Sequence, residues 1–368
     1  MIPISEPYLS KKTKKYLNKC YESNWISSQG KYIKDLERLL AKYHNVKHCI
    51  LTSSCTSALH LSLKSLGIGP GDEVICPDLT FIAPANMVAL SGAKLKLVDI
   101  DPETLTIDPD KIEKKISKKT KAIIVVHQFG HSADMDPIIK IAKKHRLKII
   151  EDNAESIGGK YKGKKLGTIG DVATLSFFAN KIITTGEGGA ILTNSNKIAN
   201  SCLILRDHGM SKVKKYLHVD LGYNYRITNL QAAVGLSQME IISKILKKRS
   251  DQLLLYKKYL SNISEIKLRS YKSWCYPVHW LTTVTILKKN MRNKLLIFLK
   301  KSGIDARAMI NPVHEAYHFR KLFKKSEYLN SYKTSKNSLH LPSSTNLNEK
   351  KIKFICEKLR YFFKNKKN

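Results

Sequence analysis

The chain has 368 residues, 42% of them hydrophobic, and a formal net charge of +35. Such a charge would suit a nucleic acid or an anionic membrane as a partner. The lysines are spread along the whole chain without an aromatic-interleaved basic stripe, so we attribute the charge to composition and expect no nucleic acid. No stretch approaches the ~20 apolar residues of a membrane span, so we expect no membrane contact either.

The length favours one large domain and one smaller domain. The amino-terminal sequence lacks the apolar core and the small-residue cleavage site of a signal peptide. The seven cysteines are odd in number and form no CxxC pair. This pattern predicts a reducing compartment, no disulfides and no metal site, so we expect a cytoplasmic protein.

Short apolar runs alternate with helical patterns from the amino terminus to about residue 240. Such alternation is typical of a mainly parallel α/β sheet. Strands are predicted at residues 48–52, 73–76, 94–99, 122–126, 147–151, 172–177 and 190–193. Between them lie predicted helices such as 57–66 and 137–145.

A long helical pattern covers residues 229–263, and we expect it to bridge to a smaller domain. In that domain, residues 276–286 predict a strand and residues 291–303 a helix that ends at a glycine. The sequence therefore predicts a large α/β domain over residues 1–245 and a small α+β domain over residues 246–368.

Lys181 lies between an apolar stretch and a glycine-rich turn. Desolvation at such a position favours the neutral amine, which can attack a carbonyl to form a Schiff base. Asp152 ends a predicted strand, and ligands gather at the carboxyl ends of strands in α/β sheets. A Schiff-base lysine and an aspartate that pairs with a pyridinium nitrogen are the features expected of pyridoxal phosphate (PLP) enzymes.

A hydroxyl-rich turn that includes Cys55 and Thr56 directly precedes a predicted helix. Taken alone, such a turn is an ordinary helix N-cap. Together with Lys181 and Asp152 it predicts a phosphate site, because helix N-termini offer free backbone N–H donors.

Other side chains have both a functional and a structural interpretation. Phe81 either stacks on a flat cofactor ring or belongs to the core, and Glu155 either reaches the ring hydroxyl or is a solvated helix residue. The remaining candidates, each a substrate or anion contact or else a structural residue, are Asn224, Arg226, Arg307 and His314.

Ordered segments along almost the whole chain resemble the DegT/DnrJ/EryC1/StrS family of nucleotide-sugar aminotransferases. The segments include 2–9 (IPISEPYL), 24–37 (NWISSQGKYIKDLE), 54–59 (SCTSAL), 151–156 (EDNAES), 174–191 (TLSFFANKIITTGEGGAI), 222–235 (GYNYRITNLQAAVG) and 303–307 (GIDAR). So many matches in order are more specific than any single motif. The resemblance implies the type I fold of aspartate aminotransferase and PLP as the cofactor.

The resemblance also implies roles for individual residues. Lys181 forms the Schiff base with the cofactor and moves a proton to and from the substrate, while Asp152 holds the pyridine nitrogen. Glu155 contacts the ring hydroxyl, and Phe81 stacks on the ring face. The Cys55 amide, Thr56 and Ser176 hold the cofactor phosphate. Asn224 contacts the phosphate of the cofactor in the neighbouring subunit. The last contact implies an obligate homodimer with composite sites. The candidate substrate contacts are Trp25, Arg226, Arg307 and His314.

Cys55 departs from the family pattern, because many relatives carry glycine there. Within the family, the chain resembles the branch that transfers the amino group of L-glutamate to C4 of a nucleotide-linked 4-keto-6-deoxyhexose for glycan biosynthesis. A GDP-linked, perosamine-type product is favoured, and a UDP- or dTDP-linked, viosamine-type product is left open. The alternatives are a sugar dehydratase of the same fold, in which histidine replaces the lysine, and a non-catalytic regulator.

Overall fold

The computed structural model describes residues 1–365, and in this part of the chain the largest sheet has seven strands. The strands are β1 (His48–Thr52), β2 (Glu73–Pro77), β3 (Lys94–Val98), β4 (Thr120–Val126), β5 (Lys148–Asp152), β6 (Lys160–Tyr161), β7 (Lys164–Lys165), β8 (Val172–Ser176), β9 (Gly189–Thr193), β10 (Ile266–Leu268), β11 (Cys275–Tyr276), β12 (Thr282–Ile286), β13 (Arg307–Ala308) and β14 (Ser338–Leu341).

The helices cover both faces of that sheet and the carboxyl-terminal part of the chain. They are α1 (Lys11–Glu22), α2 (Lys31–His44), α3 (Cys55–Ser65), α4 (Ala83–Leu90), α5 (Pro109–Ile112), α6 (Met135–His145), α7 (Asn196–Arg206), α8 (Asn229–Met239), α9 (Ile242–Leu260), α10 (Arg292–Lys301), α11 (Leu329–Asn337) and α12 (Glu349–Lys364). Within residues 1–365, no helix combines the length and the apolar character needed to cross a membrane.

The large sheet has the strand order β1-β9-β8-β5-β4-β2-β3. Its strands run parallel except β9, which is antiparallel to both of its neighbours. Along β4, Ile124 packs in the cluster that includes α3 and α4, whereas Ile123 and Val125 pack in the cluster that includes α6. Successive side chains of a strand point to opposite faces, so helices cover both sides. The predicted mainly parallel α/β sheet is confirmed.

A second sheet has the order β10-β12-β14-β13, and its neighbouring strands are antiparallel. Helices α9, α10 and α12 share a buried apolar cluster with it. The amino terminus joins this part of the molecule through a bridge from Ile2 to Ile304. The predicted boundary between residues 245 and 246 falls inside α9 and stays a prediction, and residues 366–368 of the predicted small domain lie outside the described residues.

The helical pattern predicted over residues 229–263 forms two helices, α8 and α9, rather than one. The break lies at Ile241, whose φ of −118° is not helical. Neither proline nor glycine marks this position in the sequence. The helix predicted at 291–303 is confirmed, since α10 is followed by Gly303 in the left-handed conformation with φ +77°.

The strand predicted at 276–286 is also corrected. Residues Cys275–Tyr276 pair with β6, whereas Thr282–Ile286 pair with β14 of the other sheet. Pro277 begins the irregular segment between them, and proline cannot donate a hydrogen bond to a sheet ladder. The chain crosses here from one sheet to another, and this crossing segment contains Trp280.

Candidate functional site

Two predicted site residues lie at the carboxyl end of the parallel sheet. Asp152 is the last residue of β5, and Ser176 is the last residue of the neighbouring strand β8. The two strands are in register, with Asp152 beside Thr174. Because the carboxyl ends of parallel strands share one edge of the sheet, both side chains belong to the crevice where such folds bind ligands.

The start of helix α3 lies against this edge. Ser54 caps the helix by accepting a hydrogen bond from the Ser57 N–H at 3.0 Å. Gly189 of β9 permits the close approach, because a Cβ atom there would lie 2.5 Å from the Cys55 nitrogen. Among residues 1–365, the amides of Cys55 and Thr56 have no hydrogen-bond acceptor. Free amides at a helix N-terminus suit a phosphate group.

The Cys55 side chain turns toward the sheet. Its Sγ lies 3.5 Å from Thr174 Oγ1 and 3.9 Å from Asp152 Oδ1. Burial raises the pKa of the Cys55 thiol well above its usual value, and the nearby Asp152 carboxylate acts in the same direction. The thiol therefore stays protonated and is a weak hydrogen-bond donor rather than a nucleophile.

The carboxyl group of Asp152 is buried and poorly compensated. Its Oδ1 accepts a hydrogen bond from the Ala154 N–H at 3.0 Å, and the side chain is 5% exposed. Burial raises the pKa of Asp152 to about 6, although the Ala154 N–H acts against this rise; the Glu155 carboxylate raises it further. A cationic N–H donor, such as a pyridinium group, would stabilise this carboxylate.

Lys181 and Glu155 form an ion pair beside Asp152. Lys181 Nζ lies 3.3 Å from Glu155 Oε1, and their side chains are 13% and 8% exposed. Glu155 Oε2 accepts a hydrogen bond from the Phe129 N–H at 2.7 Å. Thus Glu155 is an anchored partner of the lysine and not a solvated helix residue.

Phe81 and Ser176 flank the same edge of the sheet. Phe81 follows β2, just before α4, and is 61% exposed, so it is not a core aromatic. The Ser176 hydroxyl accepts a hydrogen bond from the Phe178 N–H at 3.4 Å. These groups fit the parts of PLP. The exposed Phe81 ring suits the cofactor ring, and the free amides at the start of α3 suit its phosphate. The buried Asp152 carboxylate suits the pyridine nitrogen, and Lys181 suits the aldehyde carbon. The role of each residue stays a prediction.

Asn224 and Arg226 lie in the loop before α8. Arg226 donates from Nε to Asn224 Oδ1 at 3.2 Å and pairs through Nη1 with Asp207 at 2.7 Å. The carbonyl of Tyr225 accepts a hydrogen bond from the Ser53 N–H at 2.8 Å. This bond connects the loop to the turn before α3. The reach of Asn224 into a neighbouring subunit stays a prediction.

The other predicted substrate contacts have different surroundings. Trp25 is 57% exposed in the connection between α1 and α2, and Arg307 is exposed on β13 and pairs with Asp305 at 3.3 Å. His314 is buried, and its Nδ1 lies 2.8 Å from Asp78 Oδ2. No hydrogen bond described within residues 1–365 joins these side chains to Lys181, so their substrate contacts stay predictions.

Trp280 and Phe129 also belong to this site and were not predicted from the sequence. Lys181 Nζ lies 3.8 Å from the centroid of the Trp280 ring, and that ring stacks on Phe129 at 6.1 Å. Trp280 lies in what reads as a continuous strand, where a tryptophan predicts only core packing. The one signal in the sequence was Pro277, which interrupts that strand.

Known proteins with similar sequences and structures identify the family of this chain. Residues 7–360 match the DegT/DnrJ/EryC1/StrS aminotransferase family. The chain is 38% identical over 365 residues to a GDP-perosamine synthase of Escherichia coli O157:H7, covering 99% of both chains. It is 42% identical over 316 residues to a GDP-perosamine synthase of Caulobacter vibrioides, covering 85% of both.

A solved structure of a putative sugar aminotransferase, Spr1654 from Streptococcus pneumoniae, has the same fold. Its PMP form superposes with a TM-score of 0.94 at 27% identity, covering 99% of this chain and 100% of the other. Its PLP form gives a TM-score of 0.93 at 28% identity, covering 99% of each. The chain therefore has the type I fold and belongs to the DegT/DnrJ/EryC1/StrS aminotransferase family, as a PLP-dependent sugar-nucleotide transaminase.

Proposed function

We propose that this enzyme transfers the amino group of L-glutamate to C4 of a GDP-linked 4-keto-6-deoxyhexose, giving a perosamine-type 4-amino sugar for glycan biosynthesis. The observation that carries the proposal is the Lys181–Glu155 ion pair beside the buried Asp152. The similarity of the chain to GDP-perosamine synthases, over 99% of its length in one case and 85% in another, supports the choice of sugar. A lysine at position 181 argues against the dehydratase alternative, and the complete site argues against a non-catalytic regulator.

Each part of the site has a separate task in this proposal. When bound, PLP supplies an electron sink that makes a C–H bond next to the substrate nitrogen acidic. The ionised Asp152 keeps a positive charge favourable at the pyridine nitrogen. The free amides of Cys55 and Thr56, with the hydroxyls of Thr56 and Ser176, hold the phosphate.

Lys181 moves the proton in both half-reactions. With glutamate as donor, its Nζ would take the Cα proton of the amino acid and pass it to C4′ of the bound cofactor. With the keto sugar as acceptor, the same Nζ would take a proton back from C4′ and deliver it to C4 of the hexose. Glu155 Oε1, 3.3 Å away, keeps the amine in place between these steps.

We also propose a homodimer with composite sites. Exposed apolar side chains in the segment before α8 support it, because such clusters often mark contacts between proteins; they are Val213, Tyr216, Val219 and Leu221. Asn224 follows directly and is exposed. Sedimentation that finds only monomers at micromolar concentration would contradict the dimer.

We propose the cytoplasm as the location of the enzyme. The cysteines of the described residues are all free, which supports this location, and cell fractionation tests it.

Mass spectrometry of nucleotide sugars tests the reaction. The enzyme is incubated with PLP, L-glutamate and GDP-, UDP- or dTDP-linked 4-keto-6-deoxyhexoses. We expect amination of the GDP sugar and loss of all turnover in the Lys181→Ala variant. Amination of only the UDP or dTDP sugar would replace the perosamine-type product with a viosamine-type product. Wild-type turnover in Lys181→Ala would remove Lys181 from the mechanism.

A further inference from the structure

Trp280 contacts the reactive lysine in two ways. Its ring centroid lies 3.8 Å from Lys181 Nζ. Its indole Nε1–H donates a hydrogen bond of 2.7 Å to the carbonyl of Asn180, the residue directly before the lysine. The side chain is 5% exposed. Trp280 therefore holds both the amine and the adjoining backbone from a position 100 residues away in sequence.

The backbone of Trp280 is itself fixed by a buried cation. The carbonyl of Trp280 accepts a hydrogen bond of 2.8 Å from Arg249 Nη1. A second nitrogen of Arg249 lies 3.4 Å from Ser5 Oγ, and Ser5 Oγ donates to the Asn180 carbonyl at 3.1 Å. Hence the same carbonyl that receives the indole N–H is also held by the amino-terminal segment. These bonds leave the indole little freedom to turn away from the lysine.

The ring also closes a loop of contacts through Glu155. The Trp280 ring stacks on Phe129 with an interplanar angle of 14°. The Phe129 N–H donates to Glu155 Oε2 at 2.7 Å, and Glu155 Oε1 lies 3.3 Å from Lys181 Nζ. A shift of the ring would therefore disturb both partners of the lysine amine.

We propose that Trp280 is a positioning residue for Lys181, which holds the amine against its ring and beside Glu155 whenever the amine is not bonded to the cofactor. The inference rests on the role of Lys181 in the proposed function. The face of an indole ring carries negative potential and attracts an ammonium group. Trp280 exchanges no proton itself. It holds the amine near Glu155 while Lys181 Nζ moves a proton between each substrate carbon and the cofactor.

Packing alone does not account for these contacts. Trp274, six residues earlier, contacts the rings of His131 and Tyr161, as expected of a side chain that fills space. Its described ring contacts do not include Lys181. Trp274→Phe is therefore a matched control for Trp280→Phe, since both remove an indole from the same segment.

The first test measures how readily the Lys181 amine is acylated in the cofactor-free protein. A small anhydride that acylates only neutral amines is applied over a range of pH, and Lys181 is quantified by mass spectrometry against the exposed Lys31. We expect Trp280→Leu to raise the acylation of Lys181 roughly 2- to 30-fold, as release of the amine from a cation–π contact predicts. Trp280→Phe should show a smaller rise and Trp274→Phe none.

The second test separates positioning from binding. In the glutamate half-reaction, Trp280→Phe should lower kcat roughly 10- to 100-fold, because it removes the N–H bond to Asn180 and misplaces the amine. The KM for glutamate should change little. A normal kcat with a raised KM would overturn the positioning role.

The labelling test needs neither cofactor nor substrate, so it stands apart from the proposed function. A Lys181 profile in folded Trp280→Phe and Trp280→Leu that overlays the wild-type profile would overturn the inference about Trp280 alone. If circular dichroism shows that Trp280→Leu is unfolded, the comparison of Trp280→Phe with Trp274→Phe decides. Wild-type turnover in Lys181→Ala would instead overturn the proposed function.

Discussion

Single residues of the site are arranged for chemistry at a cost in stability. Asp152 is the clearest case, because burial raises its pKa to about 6 while the described hydrogen-bond donors are the Ala154 N–H and the more distant Cys55 thiol. An ordinary aspartate has a pKa of 3.8. The ionised carboxylate is therefore unfavourable in the cofactor-free fold and becomes favourable when a cation binds next to it.

This imbalance predicts that Asp152→Asn stabilises the cofactor-free protein at pH 8. Because the pKa of Asp152 is raised in the fold, its carboxyl group contributes stability to the folded protein below pH 3.8. That contribution is lost as the pH rises from 3.8 through about 6. Removing the charge should recover about 1 to 3 kcal/mol of unfolding free energy at pH 8. Urea unfolding of both proteins at pH 8 and pH 4 measures this, and the gain should shrink at pH 4.

The same substitution should weaken the enzyme. An asparagine cannot hold a positive charge at the pyridine nitrogen, so we expect kcat/KM to fall roughly 100-fold or more. A variant that is less stable than the wild type at pH 8, or fully active, would contradict this account of Asp152.

At the scale of elements, Glu151 fixes the end of β5 through hydrogen bonds to its neighbours. This fully buried side chain accepts hydrogen bonds from His127 Nε2 at 2.9 Å and from backbone N–H groups at 2.6 to 2.9 Å, contributed by Gly167, Ile169 and Gly170. Burial raises the pKa of Glu151, but the His127 bond and the backbone donors outweigh it, so the pKa is lowered. Glu151 thus fixes the strand end that carries Asp152.

We expect Glu151→Gln to lower the unfolding free energy by about 2 to 4 kcal/mol, because its amide would leave buried N–H donors without acceptors. PLP affinity should also fall, since Asp152 is the next residue. Urea unfolding and fluorescence titration with PLP measure the two effects. Glu113→Gln, a change at an exposed carboxylate, is the control and should alter neither. Unchanged stability of Glu151→Gln would show that the network is unimportant.

The sequence predicted much of this level of structure. The strands of the large sheet were placed within one or two residues, because strands buried on both faces read as short apolar runs. Asp152 and Ser176 could be associated because strand ends in a parallel sheet meet at one edge. The break at Ile241 was not predictable, since helical residues continue through it. Trp280 was not predictable either, because its contact with Lys181 depends on how distant segments pack.

At the scale of the whole molecule, buried neutral histidines control the response to acid. Burial lowers the pKa of four of them from 6.5 to between about 3 and about 4; they are His44, His131, His279 and His340. Each takes up a proton near pH 6.5 when the chain unfolds but stays neutral in the fold. Their contribution to stability is present above pH 6.5 and is lost as pH falls.

We therefore expect the protein to be markedly less stable at pH 5 than at pH 7.5. Each of these histidines can cost up to about 2 kcal/mol at pH 5, which outweighs the opposite effect of the raised pKa of Asp152. The net charge of +35 adds repulsion in the same direction. Urea unfolding midpoints across this range measure how steeply stability depends on pH. His279→Gln should weaken this dependence, whereas His318→Gln, a change at an exposed histidine, should not. A flat profile for the wild type would contradict the explanation.

The contact between Trp280 and Lys181 also bears on how the chain acquires its site during synthesis. Lys181 leaves the ribosome about 100 residues before its indole partner, and β12, which follows that indole, pairs with β14 at residues Ser338–Leu341. The amino-terminal segment acquires its partner later still, since Ile2 bridges to Ile304. Native contacts between such distant segments form late and slow folding. The nascent chain therefore exposes its reactive amine without the indole partner until Trp280 and β14 have been synthesised, and capture of the cofactor is a late event in its maturation.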